Sequence, residues 1–199
     1  DDLRDGVLLL IWGYFLKIVV ADRAALFVAA VYAPESEYEG WFYIVATLLF
    51  CLQLYGDFGG CSVMAMGTAK ILGIDLIDNF NAPYFSQSIA EFWRRWHISL
   101  STWFRDYLYI PLGGSRHGKA RTALALSVVW FFTGLWHGAS WNFVLWGVVL
   151  LAFILLEKFC IGGFLERHRV LSHVYLLFVI PQTWVIFRIT NLRELGAYF

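Results

Sequence analysis

Long apolar runs, each near the length of a membrane-spanning helix, constrain this sequence more than any other feature. A hydrocarbon core of about 30 Å requires around 20 helical residues, within a range of roughly 17–25. The chain is 60% hydrophobic and 15% charged, whereas soluble domains average about 25% charged residues. The candidate spans are residues 7–31, 41–55, 122–136, 142–156 and 174–189. This pattern predicts an all-α, polytopic bundle of membrane helices.

The first run has two possible interpretations, because Lys17, Asp22 and Arg23 interrupt it. It forms either one helix whose polar residues face inward, or a span followed by a turn at the interface. Both stay open on the sequence alone. The second run ends at Tyr55, and a short glycine-rich segment over residues 58–74 follows it.

Charge placement orients the predicted spans. Residues 32–40 contain Pro34 and three glutamates but no basic residue. Residues 91–121 contain six basic and two acidic residues, and residues 157–172 again lean basic. Since basic loops favour the cytoplasmic side, we expect the acidic loop outside and both basic stretches inside.

Composition and missing motifs exclude several classes of function. Fifteen basic residues balance fifteen acidic ones, so the chain lacks the basic field that nucleic-acid binding requires, and we expect no nucleic-acid partner. Cys51, Cys61 and Cys160 show no paired spacing, which indicates small buried residues rather than a disulfide framework or a metal site. Residues 113–120 nearly match a phosphate-binding loop, but Ala120 removes the metal-binding hydroxyl, and a basic turn is favoured instead.

The polar middle of the chain, residues 79–114, mixes charged and aromatic residues. Ser88 and Glu91 fit a capping box, so we expect a helix that begins there and ends near Pro111. An amphipathic helix is predicted, lying at the cytoplasmic interface or partly buried. From this helix alone, His97 is more simply a packed histidine than a site residue. The aromatic face comprises Trp93, Trp96, His97, Leu100, Trp103, Phe104 and Tyr107.

His137 ends the apolar run at residues 122–136. If that helix begins near Arg121, a rise of about 1.5 Å per residue carries His137 roughly 24 Å inward. An ionisable group at such depth indicates a functional site, and a neutral imidazole suits a general base. The alternative is a helix-end histidine that bonds free carbonyls, with Gly138 as the capping residue. Both remain open at this point.

Four sequence blocks in fixed order carry a family resemblance: residues 79–84 (NFNAPY), 91–101 (EFWRRWHISLS), 104–114 (FRDYLYIPLGG) and 135–139 (LWHGA). With these blocks, the chain resembles the membrane-bound O-acyltransferase (MBOAT) family, and within it the bacterial alginate O-acetyltransferase branch. The D-alanyl transferases of teichoic acid synthesis are nearer to it than the eukaryotic acylating members. The resemblance covers residues 7–188.

The resemblance implies a membrane helical bundle of MBOAT type with an amphipathic or re-entrant helical middle. In this fold an acyl thioester meets a hydroxyl acceptor inside a tunnel. His137 matches the catalytic histidine of the family, and His97 matches its second important polar position. Further candidates for binding substrate or donor are Asp57, Asn79, Trp93, Arg94, Arg95, Arg105, Asp106, Tyr107 and Trp136; no metal ligand is expected.

The segment around Asp57 departs from the family pattern. Residues 55–60 resemble an Asp-Phe-Ser-Gly block, but Gly59, Cys61 and Val63 stand where relatives carry Ser, Tyr and Asp. Family members are about twice as long or more. We therefore expect residues 1–199 to form a single membrane domain that lacks N-terminal spans and the C-terminal end of the fold.

The function implied by the resemblance is acetyl transfer from acetyl-CoA, or another acyl thioester, to a hydroxyl, with no bound cofactor. The expected partners are the lipid bilayer, an exported polysaccharide and a periplasmic acetyl-transfer protein. The expected location is the bacterial cytoplasmic (inner) membrane, crossed several times. The alternatives are a non-catalytic scaffold or assembly subunit, and D-alanyl transfer to teichoic acid.

Overall fold

The computed structural model describes residues 2–33 and 35–199, so Pro34 of the predicted acidic loop lies outside the described part. Helices make up most of this part, and it contains no β-strand. The predicted all-α class is therefore confirmed. Packing divides the chain into two compact units, one ending at Phe80 and the other running from Asn81 to Phe199. The single membrane domain stays a prediction.

The first unit is built around one long helical pair. Its elements are α1 (Asp2–Tyr14), a π-helical segment (Phe15–Ala21), α2 (Asp22–Val31) and α3 (Trp41–Ile71). The first three follow one another without a break, so the first apolar run continues as a helix and no interfacial turn interrupts it. The Lys17 ammonium pairs with the carboxylates of Asp57 at 2.6 Å and Asp22 at 2.9 Å, within the same unit.

Glycines bring α1 and α3 into close contact. A Cβ atom on Gly13 would lie 2.7 Å from the main-chain oxygen of Gly60, and one on Gly60 would lie 2.8 Å from that of Gly13. Gly6 and Gly67 form a second such pair, with 2.7 Å in each direction. Residues 58–74, expected as a separate segment, instead continue α3 to Ile71, and Gly60 and Gly67 of this part form the contact with α1.

The second unit contains the remaining helices. A short 3₁₀ turn (Pro83–Phe85) precedes α4 (Ile89–Arg95) and α5 (Ile98–Phe104), which a π-helical segment (Arg105–Tyr109) extends. There follow α6 (Gly118–His137), α7 (Trp141–Leu156), a π-helical segment (Glu157–Ile161), α8 (Gly162–Arg167), α9 (Arg169–Arg188) and α10 (Leu192–Tyr198). The basic turn predicted at residues 113–120 is confirmed as far as residue 117, because α6 begins at Gly118.

The prediction of one continuous amphipathic helix in the polar middle is wrong. The chain leaves α4 at Trp96, which is extended, and α5 begins after His97. The Ser101 hydroxyl donates to the carbonyl of Trp93 at 2.8 Å, and the N–H of Asn81 donates to that of Arg95 at 2.9 Å. These bonds satisfy carbonyls that a helix end leaves free, which permits the break.

The break also divides the predicted aromatic face. Trp96 and Phe104 are buried, whereas 53% of Trp103 and 69% of Tyr107 are exposed. An amphipathic stripe needs one continuous helix axis, and the turn at His97 removes it.

Glycines also mediate the contact between α6 and α7. A Cβ atom on Gly134 would lie 2.6 Å from the main-chain oxygen of Phe143, and one on Gly147 would lie 2.6 Å from that of Trp130. The two helices are therefore held at short range over the last two turns of α6, before it ends at His137.

Three helical segments of the described residues are long and apolar enough to cross a membrane: Trp41–Ile71, Trp141–Arg167 and Arg169–Arg188. They cover the predicted runs at 41–55, 142–156 and 174–189, apart from Ile189. The predicted runs at 7–31 and 122–136 are helical, but they are not among the segments long and apolar enough to cross a membrane. The predicted orientation in the membrane stays a prediction.

The expectation that all the cysteines are buried is wrong for two of them. Cys51 is buried, but Cys61 and Cys160 are exposed. Cys61 lies on α3 and Cys160 on the π-helical segment after α7, both within segments apolar enough to span a membrane. In such segments an apolar side chain need not face the protein interior.

Candidate active site

A cavity of about 920 Å³ in the second unit is bounded by residues of α4, α5, α6 and the segment that follows α7. Small-molecule sites have volumes of about 300–1,000 Å³. Five of the predicted site residues line it: Trp93, Arg94, His97, Arg105 and His137. The fold thus brings together two histidines that lie 40 positions apart in the sequence.

His137 is the last residue of α6, and aromatic rings surround its imidazole. The ring lies edge to face with Trp146 at 5.1 Å and with Phe187 at 4.9 Å, both measured between ring centroids. The chain turns away at Gly138, whose φ of 145° favours glycine. The helix end therefore delivers the imidazole to the cavity wall, and the rings fix its orientation.

His97 occupies the junction between α4 and α5 in a left-handed backbone conformation, with φ 47° and ψ 57°. Such a conformation costs a residue with a side chain about 1–3 kcal/mol, and it occurs most often at functional sites. The Nδ1 atom of His97 lies 3.4 Å from the Ser99 hydroxyl. Burial lowers the pKa of His97 from its ordinary value of 6.5, so the neutral ring is favoured at pH 7.

Trp136 is a common neighbour of the two histidines. Its ring centroid lies 5.7 Å from that of His97 and 4.9 Å from that of His137. It is not among the residues that line the cavity, and its role in binding substrate or donor stays a prediction.

Glu157, which belongs to none of the sequence motifs, also lines the cavity. Its buried carboxylate accepts hydrogen bonds from the backbone N–H groups of Ile89 at 2.6 Å and Ala90 at 3.1 Å. It therefore fixes the start of α4, the helix that carries Trp93 and Arg94. One signal in the sequence could have identified Glu157: its carboxylate comes directly after fifteen uncharged residues, at 142–156.

The helix start predicted from Ser88 and Glu91 is confirmed, but the carboxylate bond lies one residue earlier than in a standard capping box. The N–H of Glu91 donates to the Ser88 hydroxyl at 3.0 Å. The Glu91 carboxylate in turn accepts from the N–H of Gln87 at 2.8 Å. Together with Glu157, these groups satisfy the backbone donors at the first turn of α4.

The predicted arginines differ in their surroundings. Arg94 is exposed and lines the cavity. Arg105 also lines it, but its guanidinium donates to both oxygens of Asp106, at 2.7 and 3.2 Å. Arg95 pairs instead with Glu91 at 2.6 Å. Neither Arg95 nor the predicted site residues Asp106 and Tyr107 line the cavity.

The predicted site residues Asp57 and Asn79 belong to the first unit. Asp57 pairs with Lys17, and the amide of Asn79 donates to the hydroxyl of Ser62 at 3.1 Å. Their role in substrate binding stays a prediction. Among residues 2–33 and 35–199, no group of three or more histidine, cysteine or acidic side chains is placed to hold a metal ion.

Comparison with known proteins gives one family and several relatives. Residues 6–193 match the membrane-bound O-acyltransferase family. The chain is 40% identical, over 96% of its length, to the "Probable alginate O-acetylase AlgI" of Azotobacter vinelandii. It is 34% identical, over 95% of its length, to the "Peptidoglycan O-acetyltransferase" of Helicobacter pylori.

A more distant relative is the "Teichoic acid D-alanyltransferase" of Bacillus subtilis, 34% identical over 50% of this chain and 27% of that protein. The chain spans 38% of the Azotobacter protein and 37% of the Helicobacter protein. It thus corresponds to a little over a third of the length of these two relatives.

Proposed function

Since the chain belongs to the membrane-bound O-acyltransferase family, we propose that it is the part of an O-acetyltransferase that carries the catalytic histidines. The family match confirms the resemblance that the four sequence blocks indicate. The observation that carries the proposal is the cavity of the second unit, which both His97 and His137 line. A non-catalytic scaffold has no need of this arrangement.

The substrates proposed are an acyl thioester, such as acetyl-CoA, and a hydroxyl group of an exported polysaccharide. Relatives that cover nearly the whole chain are named as acting on alginate or peptidoglycan, and both polymers offer sugar hydroxyls. The relatives named for D-alanyl transfer align with 50% and 73% of the chain, less than the 95–96% of those named for O-acetylation, so acetyl transfer is preferred. We place the enzyme in the bacterial cytoplasmic membrane, with a periplasmic protein or the polymer itself receiving the acetyl group.

The proposed step uses His137 as the general base. The imidazole takes the proton of the acceptor hydroxyl while the oxygen attacks the thioester carbonyl. The new C–O bond forms, the C–S bond breaks, and the imidazolium returns the proton to the departing thiolate. General acid–base catalysis of this kind contributes about 10²–10⁴-fold to a rate.

His97 and Arg94 act on the donor in this proposal. The His97 ring lines the same cavity as His137 and is placed to hold the thioester or to stabilise charge on it. Arg94 is exposed beside the cavity and suits a phosphate group of a nucleotide-bearing thioester. The guanidinium of Arg105 contributes less, because Asp106 already occupies it.

The test uses the full-length protein in vesicles with labelled acetyl-CoA and the polysaccharide acceptor. His137→Ala is expected to abolish acetyl transfer, and His97→Ala to reduce it strongly, with both variants inserted at normal levels. His168→Ala is the matched control, because His168 is exposed and its Nδ1 atom lies 2.9 Å from the carbonyl of Phe164, away from the cavity. Normal transfer by His137→Ala would refute the proposed base.

A second donor separates the two transfer reactions. The same vesicles receive a D-alanyl thioester in place of acetyl-CoA. If the vesicles transfer D-alanine but not acetate, the reaction is D-alanyl transfer instead of acetylation, and His137 stays the proposed general base.

A further inference from the structure

Asn142 is a buried polar residue close to the candidate base, at the start of α7. Its side chain is fully buried. The Nδ2 amide donates to the carbonyl of Phe187 at 3.0 Å and approaches that of Ile186 at 3.4 Å. Both carbonyls belong to the last turn of α9, where a helix leaves its own acceptors free. The amide on α7 therefore caps the end of α9.

Phe187, whose carbonyl accepts the shorter of these bonds, also contacts the candidate base His137. The ring of Phe187 lies edge to face with the His137 imidazole at 4.9 Å and an interplanar angle of 86°. The same ring packs against Trp146 at 5.4 Å and Trp184 at 5.6 Å. Phe187 is thus one wall of the shell that orients His137, and its backbone is tied to Asn142.

The amide of Asn142 is satisfied on one side only. The Oδ1 atom of Asn142 is buried and has no hydrogen-bond partner among the described residues. An unsatisfied buried acceptor of this kind is destabilising. The Nδ2 bonds to α9 are therefore the reason that the amide is useful there.

We propose that Asn142 is a positioning residue for His137, acting through Phe187. It holds the end of α9 so that the phenyl ring fixes the plane of the imidazole at the cavity wall. The inference rests on the proposed function of His137 and adds a residue that does not touch the substrate. A group placed in this way affects the rate of the chemical step more than the binding of the donor.

The first test is kinetic and uses the full-length protein in vesicles with acetyl-CoA and the polysaccharide. Asn142→Leu and Asn142→Val fill the space of the amide but cannot donate a hydrogen bond to α9. Each is expected to lower kcat, by up to about 100-fold for a displacement near 1 Å, with the KM for acetyl-CoA nearly unchanged. Asn191→Leu is the control, since Asn191 is exposed at the start of α10.

The second test asks whether Asn142 acts through Phe187. Phe187→Leu keeps the backbone carbonyl and removes the aromatic contact, so it should lower kcat by a similar factor. In the double variant, Asn142→Leu should add little to Phe187→Leu, because interactions along one chain of contacts are not additive. Multiplicative effects, or a normal kcat in both Asn142 variants, would overturn the proposal.

A chemical readout keeps this inference separate from the proposed function. Diethylpyrocarbonate modification of His137, mapped by mass spectrometry, should be faster in Asn142→Val and Asn142→Leu than in the wild type. Unchanged modification in both would overturn the positioning role even if kcat fell. Acetyl transfer by His137→Ala would instead refute the base, whatever the modification rates.

Discussion

The carboxylate of Glu157 accepts the backbone N–H of Ile89 at 2.6 Å, across 68 positions of sequence. This bond joins the segment after α7 to the first turn of α4, and both elements border the cavity. The candidate site therefore depends on a contact between two helices that the chain order keeps far apart.

Replacing Glu157 should loosen the start of α4. Glu157→Ala removes the acceptor of two backbone donors, and a buried donor left without an acceptor costs about 1–3 kcal/mol. We expect a lower melting temperature for the full-length protein in detergent, and weaker acetyl transfer. Glu37→Ala is the control, since Glu37 is exposed. Equal melting temperatures for the two variants would contradict this role.

The close contact between α1 and α3 predicts a sharp difference between adjacent glycines. Gly60→Ala places a methyl group 2.8 Å from the backbone oxygen of Gly13, whereas the nearest atom to a methyl group on Gly59 lies at 3.9 Å. Overpacking costs about 1–3 kcal/mol. Thermal melts should show Gly60→Ala destabilised and Gly59→Ala close to the wild type; the reverse order would disprove the contact.

The left-handed backbone of His97 can be tested without its imidazole. His97→Gly and His97→Ala both remove the ring, but only glycine adopts this conformation without strain. We expect His97→Gly to be the more stable by about 1–2 kcal/mol, measured by denaturation in detergent. At Ser99, which lies inside α5, the order of stability should reverse, so that Ser99→Ala is more stable than Ser99→Gly. Equal stability of the two His97 variants would argue against the strained junction.

The stability of the protein should depend on pH through His97. Burial lowers its pKa below the ordinary value of 6.5, so the unfolded chain binds a proton more readily than the folded one. The stabilisation is complete above about pH 6.5 and declines as pH falls towards the folded pKa. Melting temperatures at pH 7.5 and 5.5 should differ more for the wild type than for His97→Asn. A difference of the same size in both would show that His97 does not titrate in this way.

Much of the architecture follows from the sequence, because apolar length determines which segments can cross a membrane. The helix start at Ser88 and Glu91 was also predictable, since it involves residues within one turn. The break at His97 was not predictable. The hydrogen bonds that end α4 come from Ser101 and from Asn81, and Asn81 precedes the helix, so no helical spacing links it to α4.

The candidate site was predictable only in part, for a similar reason. The motif residues His97 and His137 could be identified from sequence blocks, and the fold brings them to one cavity. Glu157 and Asn142 act on backbone groups of distant helices, and backbone partners leave no signature in side-chain patterns.

Because His137 is the last residue of α6, the rotation of that helix about its axis determines the direction in which the imidazole points. Each residue turns an α-helix by about 100°, so deleting one residue between Gly134 and His137 would swing the imidazole around the helix axis and away from the cavity. The contacts of Gly134 and Gly147 hold the preceding part of α6 against α7. The number of residues between Gly134 and His137 is therefore as strict a requirement as the identity of His137 itself.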